Sequence, residues 1–264
     1  MKRPQFLILS YPRTGSTLLC SALGIHPEID QGMEMFNENL TERDHYYHWR
    51  ARKFKELYST KQEDMLVMGV SGQMVLDSFR FDFSSFVASL LEEFNGIKLL
   101  YHQVPVESPV LDCYDNVPLK IIYMRRDFLD ACVSLNVAIQ TGVWQRFHPE
   151  EEVPEPSINI SLSDLQTFQR IFCESEVDYM KRFSECDSMI VEYQNLCDNW
   201  EEMMDEVQSF LGLKPTYLSQ NIFRKNTRST RDLIANYKEL MAALNGLSPQ
   251  DYATKCCANL VKMV

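Results

Sequence analysis

Short apolar runs alternate along the chain with longer stretches in which apolar positions return at helical spacing. The runs, rich in Ile, Leu, Val and Tyr, occupy residues 6–10, 97–103, 119–124 and 188–192, with 66–70 a weaker fifth. Each has the length and composition of a strand. Between and after them the spacing predicts helices over 16–24, 83–94, 128–140, 163–184, 199–211, 230–244 and 249–261. Gly24 and Pro27 end the first of these. Strands alternating with helices predict an α/β chain, a parallel β-sheet flanked by helices on both faces. Ligands of such sheets collect beyond the C-terminal ends of the strands. The turn that follows the first strand lies at that place.

Two stretches lack this alternation. Residues 39–58 carry Tyr46, Tyr47, Trp49 and Phe54 among many charges, a pattern that predicts a helix with an aromatic core face. The segment HPEEEVPEPSINIS at 148–161 is proline-rich and acidic. It reads as a surface loop, either a lid or a plain connection. Residues 35–82 and 143–161 are expected to shape whatever pocket the chain has.

Composition narrows the classes of function. The 264 residues are 45% hydrophobic and 24% charged, enough for one domain spanning 1–264 with a proper core. The net charge of −11 repels nucleic acid and anionic membranes, so any anion site must be a local basic pocket. No apolar stretch is long enough to span a bilayer, and the run Phe6-Leu7-Ile8-Leu9 is too short for a secretory signal. The expectation is a soluble cytoplasmic protein with no nucleic-acid partner. Eight cysteines are scattered without a C-x-x-C pair, and are expected to be reduced, mostly buried thiols without bound metal.

The chemistry is concentrated in Tyr11-Pro12-Arg13-Thr14-Gly15-Ser16-Thr17-Leu18-Leu19, which runs from the first strand into the first helix. Such a turn aims backbone N–H groups and the positive end of the helix dipole at one spot. Gly15 permits close approach, Thr14, Ser16 and Thr17 add hydroxyls, and Arg13 adds a fixed charge. The combination suits a phosphate-like anion. It is not a Walker A loop, because the first glycine is missing and Ser16 stands where the lysine would follow Gly15. This turn resembles the 5′-phosphosulfate loop of sulfotransferases, in the arginine form of the bacterial carbohydrate and protein-tyrosine branches. The resemblance implies the P-loop-like sulfotransferase fold and 3′-phosphoadenosine 5′-phosphosulfate (PAPS) as donor. It further implies 3′-phosphoadenosine 5′-phosphate (PAP) as product nucleotide, and no metal requirement.

A second motif follows the third strand. Leu119-Lys120-Ile121-Ile122-Tyr123-Met124-Arg125-Arg126-Asp127 ends in basic residues, and Ser134 lies eight positions beyond Arg126 on the next helix. This resembles the family's 3′-phosphate motif, which implies Arg126 and Ser134 as ligands, with Arg125 as the alternative to Arg126. Spacing alone lets the two converge only if the helix entrance is bent. Met189-Ile190-Val191-Glu192-Tyr193 resembles the family's strand ending in a tyrosine near the adenine, implying Tyr193. Phe223-Arg224-Lys225-Asn226-Thr227-Arg228 resembles the basic loop over the 3′-phosphate, implying Arg224 and Lys225, or Arg228. Asn226 stands where many members have glycine.

Transfer of a sulfuryl group needs a positive charge at the leaving oxygen and a group to take the acceptor's proton. The resemblance implies Arg13 for the first. For the second it offers Glu34, in His26-Pro27-Glu28-Ile29-Asp30-Gln31-Gly32-Met33-Glu34, and His102, in Leu100-Tyr101-His102-Gln103. A glutamate base is expected to have its pKa raised by burial. The expected function is sulfuryl transfer from PAPS to a hydroxyl or amine of a small-molecule or carbohydrate acceptor. A metal-dependent phosphoryl transferase and a silent nucleotide-binding module are the alternatives.

Overall fold

A strand buried on both faces is apolar throughout, and β1 (Gln5–Ser10) is such a strand, with every residue after Gln5 buried. In the computed structural model, which describes residues 4–40, 45–59, 62–68, 74–77, 81–148, 150–222 and 228–244, β1 leads into α1 (Ser16–Leu23) and then α2 (His45–Tyr58). Next come β2 (Leu66–Met68), β3 (Met74–Leu76), α3 (Ser84–Glu93), β4 (Gly96–Leu100) and α4 (Pro109–Asp112). The chain continues through β5 (Leu119–Arg125), α5 (Phe128–Thr141), α6 (Leu162–Arg182) and β6 (Asp187–Glu192). Helices α7 (Tyr193–Asp198), α8 (Trp200–Leu211), α9 (Thr230–Leu233) and α10 (Tyr237–Ala243) complete the described elements.

Four strands form one parallel sheet in the order β4–β1–β5–β6, with Leu9 beside both Leu99 and Tyr123. From β1 the chain steps outward to β4, then recrosses to β5 and continues to β6. The reversal lies between β1 and β5, and a crevice opens at the carboxyl ends of those two strands. Alternate residues feed the two faces. Leu7, Leu9, Ile121 and Tyr123 pack with Phe86 and Leu90 of α3 and Phe172 and Tyr179 of α6. Phe6, Ile8, Ile122 and Met124 pack with Leu19 and Leu23 of α1 and Val207 and Leu211 of α8. The expected architecture, a parallel sheet covered on both faces, is the one found.

Some expectations are corrected. Of the run at 66–70, residues 66–68 pair antiparallel with β3 as a separate two-stranded sheet rather than joining the parallel one, and 69–70 lie outside the described residues. The strand expected over 97–103 stops at Leu100, because the Gln103 side chain and backbone both bond back to Leu100. His102 therefore stands on a turn beyond the strand. The helix expected over 230–244 is broken into α9 and α10 by Ile234, which bridges to Ile158. Residues 249–261 lie outside the described residues. The segment 148–161 is no loose lid in its second half: Ile158 and Ile160 are buried, and Asn236 accepts from the Ile160 N–H and donates to its carbonyl. Helix α2 does present the expected aromatic face, with Trp49 and Phe54 against Phe86. Cys20, Cys113, Cys132 and Cys186 are unbridged, but Cys173 on α6 is disulfide-bonded, against the expectation of reduced thiols throughout.

Candidate active site

The turn after β1 is held in a shape that few sequences adopt. Arg13 has φ +70° and Gly15 φ +88°, both in the left-handed region. That conformation is costly for Arg13 and ordinary for glycine. Gly15 is also the residue preceding α1, and no side chain caps that helix. A Cβ at Gly15 would sit 2.3 Å from Cδ2 of Tyr193, the first residue after β6. The Tyr193 ring thus lies directly on the turn.

Arg126 closes the arrangement from the end of β5. Its guanidinium carbon lies 4.4 Å from the centre of the Tyr193 ring. Its Nη1 donates to the Arg13 carbonyl at 3.0 Å, and its Nε is a buried donor with no partner among the described residues. Asp127 then caps α5, its side chain accepting from the Asp130 N–H at 3.0 Å with an extended ψ of 131°. Arg126 thus precedes the helix cap, and it and Ser134 line the same cavity. Ser134, two turns into α5 and 4% exposed, accepts from Arg13 Nε at 3.2 Å. Burial first, and then the neighbouring Arg126, lower the Arg13 guanidinium to about 10, so it stays protonated at neutral pH.

These groups line a cavity of about 930 Å³. Arg13, Gly15, Ser16, Thr17, Arg126, Ser134 and Tyr193 line it, together with Glu34, Lys98, His102 and Gln103. Trp144, Gln145 and Arg146, just past α5, also line it, with Trp144 half exposed and its ring centre 5.9 Å from the Arg13 guanidinium. Among the described residues of the segments expected to shape the pocket, 35–82 supplies Asn37 and Asn39, and 143–161 supplies Trp144, Gln145 and Arg146.

Glu34 is held more tightly than its sequence suggests. One carboxylate oxygen pairs with the buried Lys98 ammonium. The other accepts from Gln103 Nε2 and Asn37 Nδ2, each at 2.8 Å. Burial alone would raise this carboxyl, but Lys98, its hydrogen bond, that of Gln103 and the neighbouring His102 together bring it below its ordinary value. The expected upward shift is therefore reversed, because the burial includes a cation. His102 moves the other way from what Glu34 alone would do: burial, helped by Lys98, lowers its imidazole despite the carboxylate nearby.

Lys98 was not legible as a site residue. It sits in the middle of β4, 2% exposed, where a lone polar residue reads as a strand edge. Gln103 stands beside His102 in its motif, and Trp144 and Arg146 lie in a segment expected to shape the pocket, but none of the three was singled out as a site residue. Thr14 does not present its hydroxyl to the cavity; the side chain is fully buried and donates to the Tyr11 carbonyl at 3.2 Å. Between the paired arginines the structure distinguishes clearly. Arg125 turns to α6, where it pairs with Glu176 and bonds its Oε1 at 2.6 Å, and Arg126 lines the cavity. Arg228 is exposed and bonds the Glu155 carbonyl at 3.2 Å and the Asp232 carbonyl, away from the cavity. Arg224 and Lys225 lie outside the described residues.

Among the described residues, no helix is long and apolar enough to cross a membrane. Comparison with known proteins bears on the family of the chain. Residues 3–256 match the family model of the sulfotransferase domain. The chain is 25% identical over 240 residues to nodulation protein H of Rhizobium tropici, covering 89% of this chain and 87% of that one. The fold is similar to the sulfotransferase domain from the curacin biosynthetic pathway, with a TM-score of 0.53 and 14% identity over 99% of this chain and 98% of the other. With the family model covering nearly its whole length and the two basic turns meeting at the sheet's crevice, this chain belongs to the sulfotransferase domain family.

Proposed function

We propose that the chain acts as one domain that moves the sulfuryl group of PAPS to a hydroxyl of a small-molecule or carbohydrate acceptor. One observation carries the reading. Arg13 and Arg126, 113 residues apart, face one cavity, and the Arg126 Nε is a buried donor still without a partner among the described residues. Two like charges brought this close, and a donor left unsatisfied in a buried place, suit an anion that meets both. When bound, PAPS supplies a sulfuryl group on a phosphate leaving group.

The proposed division of labour follows the elements. Arg126 and Ser134, with Arg224 and Lys225, hold the 3′-phosphate. Arg13, Gly15, Ser16, Thr17 and the backbone of Thr14 hold the 5′-phosphosulfate, and Tyr193 lies beside the adenine. Arg13 is the charge at the leaving oxygen; because it stays protonated it stabilises without donating a proton. A preorganised donor of this kind is worth about 2.7–4 kcal/mol. Glu34 is the proposed base, ionised at neutral pH and facing the cavity. A second reading is favoured by one observation: burial keeps His102 unprotonated near neutrality, and the Glu34 carboxylate stabilises the imidazolium formed when it takes a proton.

The test is label transfer from sulfur-labelled PAPS onto a panel of sugars, lipids, phenols and peptides, in chelator, with Mg-ATP as a separate arm. Transfer in chelator is expected, and Arg13→Ala should reduce turnover by about 100- to 1000-fold. Calorimetry showing no PAP uptake by folded protein would refute the reading. For the base, Glu34→Gln and His102→Gln are compared, and whichever keeps near-normal turnover is eliminated.

A further inference from the structure

We propose that Lys98, resting on the sulfotransferase reading above, is a positioning residue that ties the proton-accepting wall of the cavity to the phosphosulfate turn. Its ammonium lies between two groups that belong to different halves of the reaction. It pairs with Glu34 Oε1, and it donates to Thr17 Oγ1 at 2.6 Å. A lysine ammonium has only donors, so the Thr17 oxygen must accept from it. The Thr17 O–H is then left for another acceptor, and Thr17 lines the cavity. Lys98 therefore sets the polarity of a hydroxyl on the turn while holding the Glu34 carboxylate.

The backbone does the same work at the same residue. The Lys98 N–H donates to the Met33 carbonyl at 3.0 Å, and Gly32 donates to Gly96 at 2.7 Å. Residues 31–33 thus run along the free side of β4, and Glu34 emerges opposite the lysine that binds it. Arg50, fully buried on α2, fixes the next step of this segment by donating to the Met35 carbonyl at 2.9 Å and to that of Asn37. A lysine 2% exposed in a buried strand is costly unless it is paired. Here both its partners are residues of the site. The charged or titratable groups that face the pair are Arg13, Cys20, Glu38 and His102.

The test compares Lys98→Met, Glu34→Gln, Thr17→Val and the double variant Lys98→Met/Glu34→Gln in purified protein. Lys98→Met is expected to lower kcat/KM at neutral pH by on the order of 100-fold, the scale of a misplaced reacting group. It should also move the acidic limb of the kcat/KM profile upward, because the cation that lowers both Glu34 and His102 is gone. Thr17→Val should weaken PAP binding while leaving that limb in place. The double variant keeps the wall neutral, so it answers the question even if Lys98→Met does not fold; it should bind PAP several-fold more weakly than Glu34→Gln alone. A role in stability only predicts a lower melting temperature with wild-type pH limb and PAP affinity, and that result overturns the proposal. Absence of transfer by the wild type would instead refute the sulfotransferase reading, so the two failures are distinct.

Discussion

Replacing Gly15 by alanine tests whether the turn and Tyr193 are one structure. Alanine at φ +88° incurs the left-handed cost of about 1–2 kcal/mol. Its Cβ would also stand 2.3 Å from the Tyr193 ring, which must retreat by about an ångström to reach ordinary contact. That retreat takes the ring from under the Arg126 guanidinium, now 4.4 Å from its centre, and forfeits about 0.5–2 kcal/mol of cation–π attraction. Together these predict a loss of about 1.5–4 kcal/mol, or about 3–16 °C in melting temperature for a chain of this size. The part acting through Arg126 should weaken PAP binding by about 2- to 30-fold. Thermal melts and PAP calorimetry are run on Gly15→Ala, Tyr193→Leu and the pair. In the pair the collision is relieved and the cation–π contact is lost only once, so the two changes should be markedly non-additive in stability. Additive losses, or a Gly15→Ala protein that melts and binds like wild type, would refute the packing of Tyr193 on the turn.

Three further outcomes follow from the site and its supports. Arg126→Ala should weaken PAP binding by at least about tenfold, the cost of a charged hydrogen bond, whereas Arg125→Ala should leave binding intact and lower the melting temperature by freeing Glu176; calorimetry and melts on both variants check this. His102 is lowered by burial, so the unfolded chain takes its proton at a higher pH than the folded one. Stability should therefore rise with pH through a window whose upper bound is the ordinary histidine value near 6.5, and fall as pH drops through the folded pKa; urea midpoints of wild type and His102→Gln across pH 5–8 (a range of about three units about that value) should differ in slope. Asn236→Ala removes two hydrogen bonds to the Ile160 backbone and should cost about 1–3 kcal/mol without changing PAP affinity, as read by denaturant unfolding and calorimetry.

The sequence made the frame and the two basic turns readable because each is a local pattern. A buried central strand such as β1 is apolar throughout, and the long helix α6 was placed within two residues of its observed bounds at either end. Arg13, Gly15, Arg126, Ser134 and Tyr193 sit in motifs tied to strand ends, and the sheet order alone brings those ends together. What could not be read was decided by distant partners. Lys98 looks like any polar residue on a strand until Glu34 and Thr17 arrive beside it. The downward shift of Glu34 depends on that same lysine, so reasoning from burial alone had the wrong sign. Likewise, nothing in HPEEEVPEPSINIS announces that Asn236 binds its far end.

The hydrogen bond from Arg126 to the Arg13 carbonyl has a consequence for anyone wishing to move this chemistry elsewhere. The opening nine-residue turn owes its unusual backbone in part to a guanidinium that arrives from the far side of the reversal in the sheet. Grafted alone onto a foreign strand and helix, it would keep its side chains and lose its curvature. A transplant would have to carry both strand ends, and with them the tyrosine that leans on the glycine.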